Sequence, residues 1–246
     1  MITENLWLLL YIALPIIAFL YASVGHGGAS SYLMILALLG LAPEQIRPTA
    51  LLMNIAVSFL AFYQFRKTVK VPTRLAVQLL LFSVPAAFLG GTILIESSLY
   101  KNLLGVILIF PIFRFLNVFP QNTNPIVERN AYLPAILGLT IGFFSGLIGI
   151  GGGIILSPVL LLLGWTNIKE TAAISALFIF INSIAGFIGA NGFQTDISSE
   201  LWTLMPITII AGALGAYFGA QRFNLLVIRG LLISVLTFAS IKLILS

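Results

Sequence analysis

Stretches of unbroken apolar sequence, each about as long as a bilayer core is thick, recur along the whole chain. A membrane-crossing helix needs about 20 such residues. Eight segments qualify: 5–23, 48–65, 75–95, 102–119, 131–148, 172–190, 201–219 and 225–245. In hydrocarbon the backbone must satisfy its own hydrogen bonds, so only helices and closed barrels can span it. Barrel strands would alternate apolar and polar residues over about ten positions, and these runs do not alternate. The expected fold class is therefore all-α, a polytopic membrane protein. With 60% hydrophobic and 8% charged residues, a soluble enzyme, a disordered chain and a nucleic-acid binder are excluded. Twelve basic residues against seven acidic ones form no basic face of the kind nucleic acid requires. The first run, Leu6 to Tyr21, follows Glu4 rather than a basic stretch and reads as a membrane segment, not a cleaved leader.

Two further apolar stretches, 30–41 and 153–163, are too short to span. Each covers about 18 Å. Each follows a glycine-rich break, "SVGHGGASS" at 23–31 and "GLIGIGGGI" at 146–154. Glycine disfavours continued helix and permits positive φ, so both breaks should interrupt the helix. A shift of 124 brings Phe19, Gly25, Gly27 and Gly28 onto Phe143, Gly149, Gly151 and Gly152. A shift of 125 brings Ser58, Phe62, Gly90 and Gly105 onto Ser183, Phe187, Gly215 and Gly230. The chain reads as an internal duplication, with one membrane repeat at 1–119, a linker at 120–130 and a second repeat at 131–246. Each repeat holds five segments, four long helices and one short broken half-helix.

Parity decides how the repeats relate. If each short stretch turns back with its preceding helix as a hairpin, the halves are inverted. One side of the membrane then carries Arg66, Lys67, Lys70, Arg74, Arg114, Arg129, Lys169, Arg222 and Arg229, and the other only Arg47, Lys101 and Lys242. If each pair makes one continuous crossing, the basic residues divide seven to five. The positive-inside rule favours the hairpins, and so two inverted repeats, with the nine-residue side cytoplasmic and both termini outside. Trp7, Trp165 and Trp202 fall at expected interfaces.

Inverted repeats with broken helices are a transporter architecture, with substrate near the midplane. Here the breaks precede the short helices, so their N-termini should point free N–H groups at the centre. Helix N-termini bind anions readily. The expected binding residues are Ser23, Gly25, His26, Gly27, Gly28 and Ser30 around the first break, and Gly149, Gly151, Gly152 and Gly153 around the second. Asn54, Ser58, Asn182 and Ser183, on the helices that follow the half-helices, complete the set. Asn is costly in lipid and should face protein or water, as an oxyanion donor or as glue between helices. The plain alternative for the glycines is tight helix packing. His26 is the sole histidine; it could hold an anion or carry a coupled proton, or simply bond a loop carbonyl. Arg47 and Glu44 lie in the loop "LAPEQIRPT", where charges serve solvation, pairing or gating.

The paired glycine motifs, the Gly40 and Gly164 loops, and "FFSGLIGIGGGIILSPVLLLLG" followed by "ETAAISALFIFINS" carry a resemblance over the whole chain. It resembles the sulfite exporter TauE/SafE family, also called the toluene sulfonate uptake permeases. The resemblance implies transport of sulfite, sulfonates or related organosulfur anions across the bacterial inner membrane. The first half departs from the second: His26 stands opposite Ile150, Ala29 opposite Gly153 and Met34 opposite Pro158.

The leading expectation is a secondary transporter for a small anion working by alternating access, not an enzyme. The partners are that anion, the lipid bilayer and, through His26, coupled protons; Gly90, Gly91 and Gly215 permit close packing, and a homo-oligomer stays open. An anion channel with a glycine-loop filter is the first alternative. An intramembrane enzyme is the second, with His26 as its one candidate base. No cofactor, metal site or catalytic residue is expected: there is no cysteine, one histidine and no mid-helix carboxylate.

Overall fold

Among the described residues each apolar run becomes a helix, and each glycine-rich break becomes a turn with glycines at positive φ. The computed structural model describes residues 4–38, 40–115, 132–197 and 199–222. Helices α1 (Glu4–Ala22), α2 (Ala29–Leu38), α3 (Pro43–Phe65), α4 (Thr73–Thr92) and α5 (Ser97–Phe115) form the first half. Helices α6 (Tyr132–Ile148), α7 (Gly153–Leu162), α8 (Ile168–Gly189) and α9 (Ser199–Gln221) belong to the second. No strand occurs among the described residues. The last expected segment, 225–245, and the linker at 120–130 lie outside them. α3, α4, α8 and α9 are long and apolar enough to cross a membrane.

Two starts differ from expectation. α3 begins at Pro43, not near 48, because Pro43 occupies the first helical turn, where a missing N–H costs nothing. Residues 43–47 are therefore helix rather than loop. α8 begins at Ile168, not 172, because Asn167 and Glu170 form a reciprocal capping box with bonds of 2.9 and 3.0 Å. Trp165, placed at an interface by the sequence, is only 6% exposed and packs with Leu75, Leu160 and Phe178.

Glycines set the helix spacing. Gly138, Gly142 and Gly146 of α6 lie against the backbone of Leu79, Ser83 and Ala87 of α4 in that order, so the two helices run parallel. Gly215 and Gly219 of α9 lie in the same way against Phe19 of α1 and Ser23 just past its end. These two contacts mirror each other: Gly90 packs on the Phe143 carbonyl as Gly215 packs on the Phe19 carbonyl. Each half thus lends its fourth helix to the first helix of the other.

The remaining directions follow from order of contact. α3 and α8 are antiparallel, since Leu51 reaches Gly186, Asn54 reaches Ser183, and Phe65 clusters with Ala172 and Ala173. α9 runs with α3, Val57 meeting Gly212 and Phe65 meeting Ala220. α8 runs with α4, Leu75 and Leu79 clustering with Ile174 and Phe178, and Gly91 meeting Gly186. So α1, α3 and α9 run one way, and α4, α6 and α8 the other. Because α1 and α3 share a direction, α2 returns the chain between them. The outward faces stay apolar, as with Leu8, Ile12 and Ile16 on α1 and Val77, Leu81 and Phe88 on α4. Such faces suit lipid, while the polar side chains point inward.

Candidate functional site

The two breaks meet at one side chain, Asn54, halfway along α3. Its Oδ1 accepts the backbone N–H of Ala29, the first residue of α2, at 3.0 Å. Its Nδ2 donates to the Ile150 carbonyl in the second break at 3.3 Å and to Ser183 Oγ on α8 at 3.4 Å. One carboxamide thus joins both glycine loops and α8. Gly27 and Gly151 make the room: a Cβ on Gly27 would overlap the Asn54 carboxamide, and one on Gly151 would stand 2.7 Å from Asn54 Nδ2 and 2.9 Å from Ser183 Oγ. Gly151 also holds φ +75°, a conformation that any Cβ strains.

The half-helix starts are unequal. Asn54 occupies the first amide of α2. α7 begins after Gly152, at φ +79°, with no side-chain cap; the Ile155 N–H reaches the Gly152 carbonyl at 3.1 Å, and the Gly153 and Ile154 amides that precede it have no intrahelical partner. The position equivalent to Asn54 in the second half is Ile179, which packs against Gly151 and Gly153.

A second polar chain crosses from the first break into the second half. His26 Nε2 lies 2.8 Å from Ser157 Oγ on α7, and Ser157 Oγ lies 2.7 Å from Ser175 Oγ on α8. His26 Nδ1 is buried without a partner among the described residues. The Tyr32 hydroxyl donates to the Gly27 carbonyl at 3.1 Å and braces the loop from below.

The expected residues therefore separate into those gathered and those apart. His26, Gly27, Asn54, Gly151, Gly153 and Ser183 converge at the centre. Gly28 packs on the Tyr32 ring beside them, Gly152 lies against Phe178 and Ser145, and Ser30 is buried in the first turn of α2. Gly25 lies outward against Ala172, and Gly149 against the stem of Arg47. Ser23 bonds the Leu20 carbonyl of its own helix, Ser58 that of Asn54, and Asn182 that of Phe178. These three hydroxyl and amide groups serve their own backbones, as such residues commonly do. The centre is closed to solvent: Asn54, Ser58, Asn182 and Ser183 are all wholly buried.

Three residues were missed by sequence reasoning. Ser157 and Ser175 were visible only as polar residues in apolar runs, and their pairing with His26 depends on how α7 meets α8. Arg47 is the larger omission. It is 2% exposed, not a solvated loop charge as expected, because α3 starts a full turn early and carries it inward. Its guanidinium donates to the carbonyls of Ile93 and Gly91, each at 2.8 Å, and of Gly146 at 3.0 Å. Above it lies a cavity of about 500 Å³ between the start of α3, the ends of α4 and α8, and residues 190–196.

Apolar helices interrupted midway, with the breaks closing on shared polar groups, are the arrangement of a membrane transporter. The sequence profile described as "Sulfite exporter TauE/SafE" matches residues 10–243. The chain belongs to the TauE/SafE sulfite exporter family and is a membrane transporter. It is 33% identical over 239 residues to the probable membrane transporter protein y4hK of Sinorhizobium fredii, covering 95% of this chain and 96% of that one. A probable membrane transporter protein of Methanocaldococcus jannaschii is 28% identical over 169 residues, covering 66% of this chain and 62% of the other. The probable membrane transporter protein MamO of Magnetospirillum gryphiswaldense is 32% identical over 114 residues, which is 45% of this chain but 18% of that protein. No solved structure matches.

Proposed function

We propose that the chain is a secondary transporter of a small sulfur oxyanion, sulfite or an organic sulfonate, across the bacterial inner membrane. The observation that carries this is the meeting of the two glycine loops and the start of α2 at Asn54. The uncapped first turn of α7 offers an anion backbone N–H groups. Asn54 Nδ2, Ser183 Oγ and His26 stand beside it as donors. No carboxylate lies among these groups, which suits an anion and not a cation. The family's description supports the sulfur class. The relatives' names support a transporter rather than an enzyme.

The two halves work as inverted repeats. Antiparallel α3 and α8 support that reading, because equivalent helices run opposite ways only across an axis in the membrane plane. The centre is closed in this conformation, so transport requires the halves to rock and expose it alternately to each side. His26 is the candidate carrier of a coupled proton. A thermal-unfolding screen of the purified chain tests the substrate class, using sulfite, sulfate, thiosulfate, taurine, sulfoacetate and carboxylate analogues. A ligand stabilises by mass action only if it binds the folded state. Stabilisation by sulfur oxyanions is expected, and stabilisation by cations alone contradicts the reading.

A further inference from the structure

We infer that the vestibule above Arg47 is a second anion station, separate from the central site, with the Arg47 guanidinium as its recognition group. The inference rests on the anion-transporter reading for its purpose but not for its geometry. A charge taken out of water is costly unless it is compensated. Among the described residues no carboxylate lies within ion-pair distance of Arg47. Its partners are backbone carbonyls at the ends of α4 and α6. Such dipoles ease the desolvation but leave a full positive charge, and the buried Nε has no partner at all.

Packing alone does not call for an arginine here. Gly149 of the second break rests on the Cα, Cβ and Cγ of Arg47. Its mirror contact, Gly25 of the first break, rests on Ala172. A methyl group does the same packing in the second half, so the guanidinium is surplus to that role. The surplus charge stands on one side of the molecule only, at the floor of the cavity of about 500 Å³. Thr92, Asn191 and Gln194 line the walls with neutral polar groups. Glu44 and Asp196 stand at the rim, both exposed to water, where their charge is screened.

A guanidinium presents parallel N–H groups that match two oxygens of one oxyanion. The station therefore takes a small sulfonate- or sulfite-like anion, exchanging one or two carbonyl partners for its oxygens. Gly149 links this floor to the loop that ends at Asn54, so the station adjoins the central site.

The chain has no cysteine, so Thr92→Cys places a single thiol on the vestibule wall. The rates at which anionic sulfonatoethyl and cationic trimethylammonioethyl methanethiosulfonate modify that thiol report the local potential in the purified full-length protein. With Arg47 present, the anionic reagent is favoured; Arg47→Gln should cut the anionic-to-cationic ratio about fivefold. Methanesulfonate should slow modification when Arg47 is present and not in Arg47→Gln. If Arg47→Gln does not fold, protection by methanesulfonate with Arg47 intact, against choline chloride at equal ionic strength, decides the matter. An unchanged ratio, or no protection beyond that of chloride, overturns the station. Adding Asn54→Asp separates the two sites: protection retained supports a distinct station, and protection lost shows a single central one. Protection that persists while no substrate is transported leaves the station standing and removes the transport reading.

Discussion

Asn54 satisfies an N–H of α2 and a carbonyl of the second break with the two ends of one carboxamide. Asn54→Ala leaves both buried groups unpaired, at a cost of about 1–3 kcal/mol each, read as a lower unfolding midpoint in detergent. Ser183→Ala, which removes only a 3.4 Å bond, should cost much less. His26→Ala breaks the link to Ser157 and Ser175 and should lower transport or shift its pH dependence; uptake unchanged from pH 5 to 8 removes His26 from the mechanism. The glycines and Asn54 were legible in sequence because duplication put two breaks in register and polar residues stand out in apolar runs. Ser157 and Ser175 were not, since 18 residues and a turn separate them and only packing aligns their hydroxyls. Arg47 was misread because the apolar run starts only at 48, whereas the helix starts with Pro43 and absorbs Pro48.

Helix on helix, the fold depends on surfaces without side chains. Gly146 of α6 sits directly on the Ala87 carbonyl, and Gly219 of α9 on the Ser23 carbonyl. Gly146→Val or Gly219→Val forces the paired helices apart and should destabilise by at least about 1–3 kcal/mol, measurable as loss of monodisperse protein on heating. At the start of α8, Asn167→Ala removes the cap and should cost about 1 kcal/mol, with binding of substrate little changed. Element existence was legible from run length alone. Starts were harder, because the polar first turns of α3 and α8 look like loop until their proline and capping box are recognised.

Across the whole molecule, the exchange of fourth helices between halves was not legible. The shift of 124 to 125 announces two copies, but a repeat does not say which copy its helices pack against. The turns at 66–72 and 163–167 and the end of α9 share one side, and the turns at 40–42, 93–96 and 190–197 share the other. Single cysteines at Lys70 and Gln194 should accordingly be labelled from opposite faces of the membrane, Lys70 from the cytoplasm; labelling of both from one face contradicts the topology. The account's central claim is that a sulfur oxyanion is carried through the meeting point of the two glycine loops. The most direct test is uptake of 35S-labelled sulfite or sulfonate by proteoliposomes holding the chain or its Asn54→Asp variant. That variant keeps the acceptor for Ala29 but replaces the amide donor with a carboxyl oxygen. The account predicts saturable uptake that the variant lowers at least tenfold in kcat/KM, about the value of one hydrogen bond to a charged group. Uptake no greater than in protein-free vesicles, or equal in chain and variant, contradicts it.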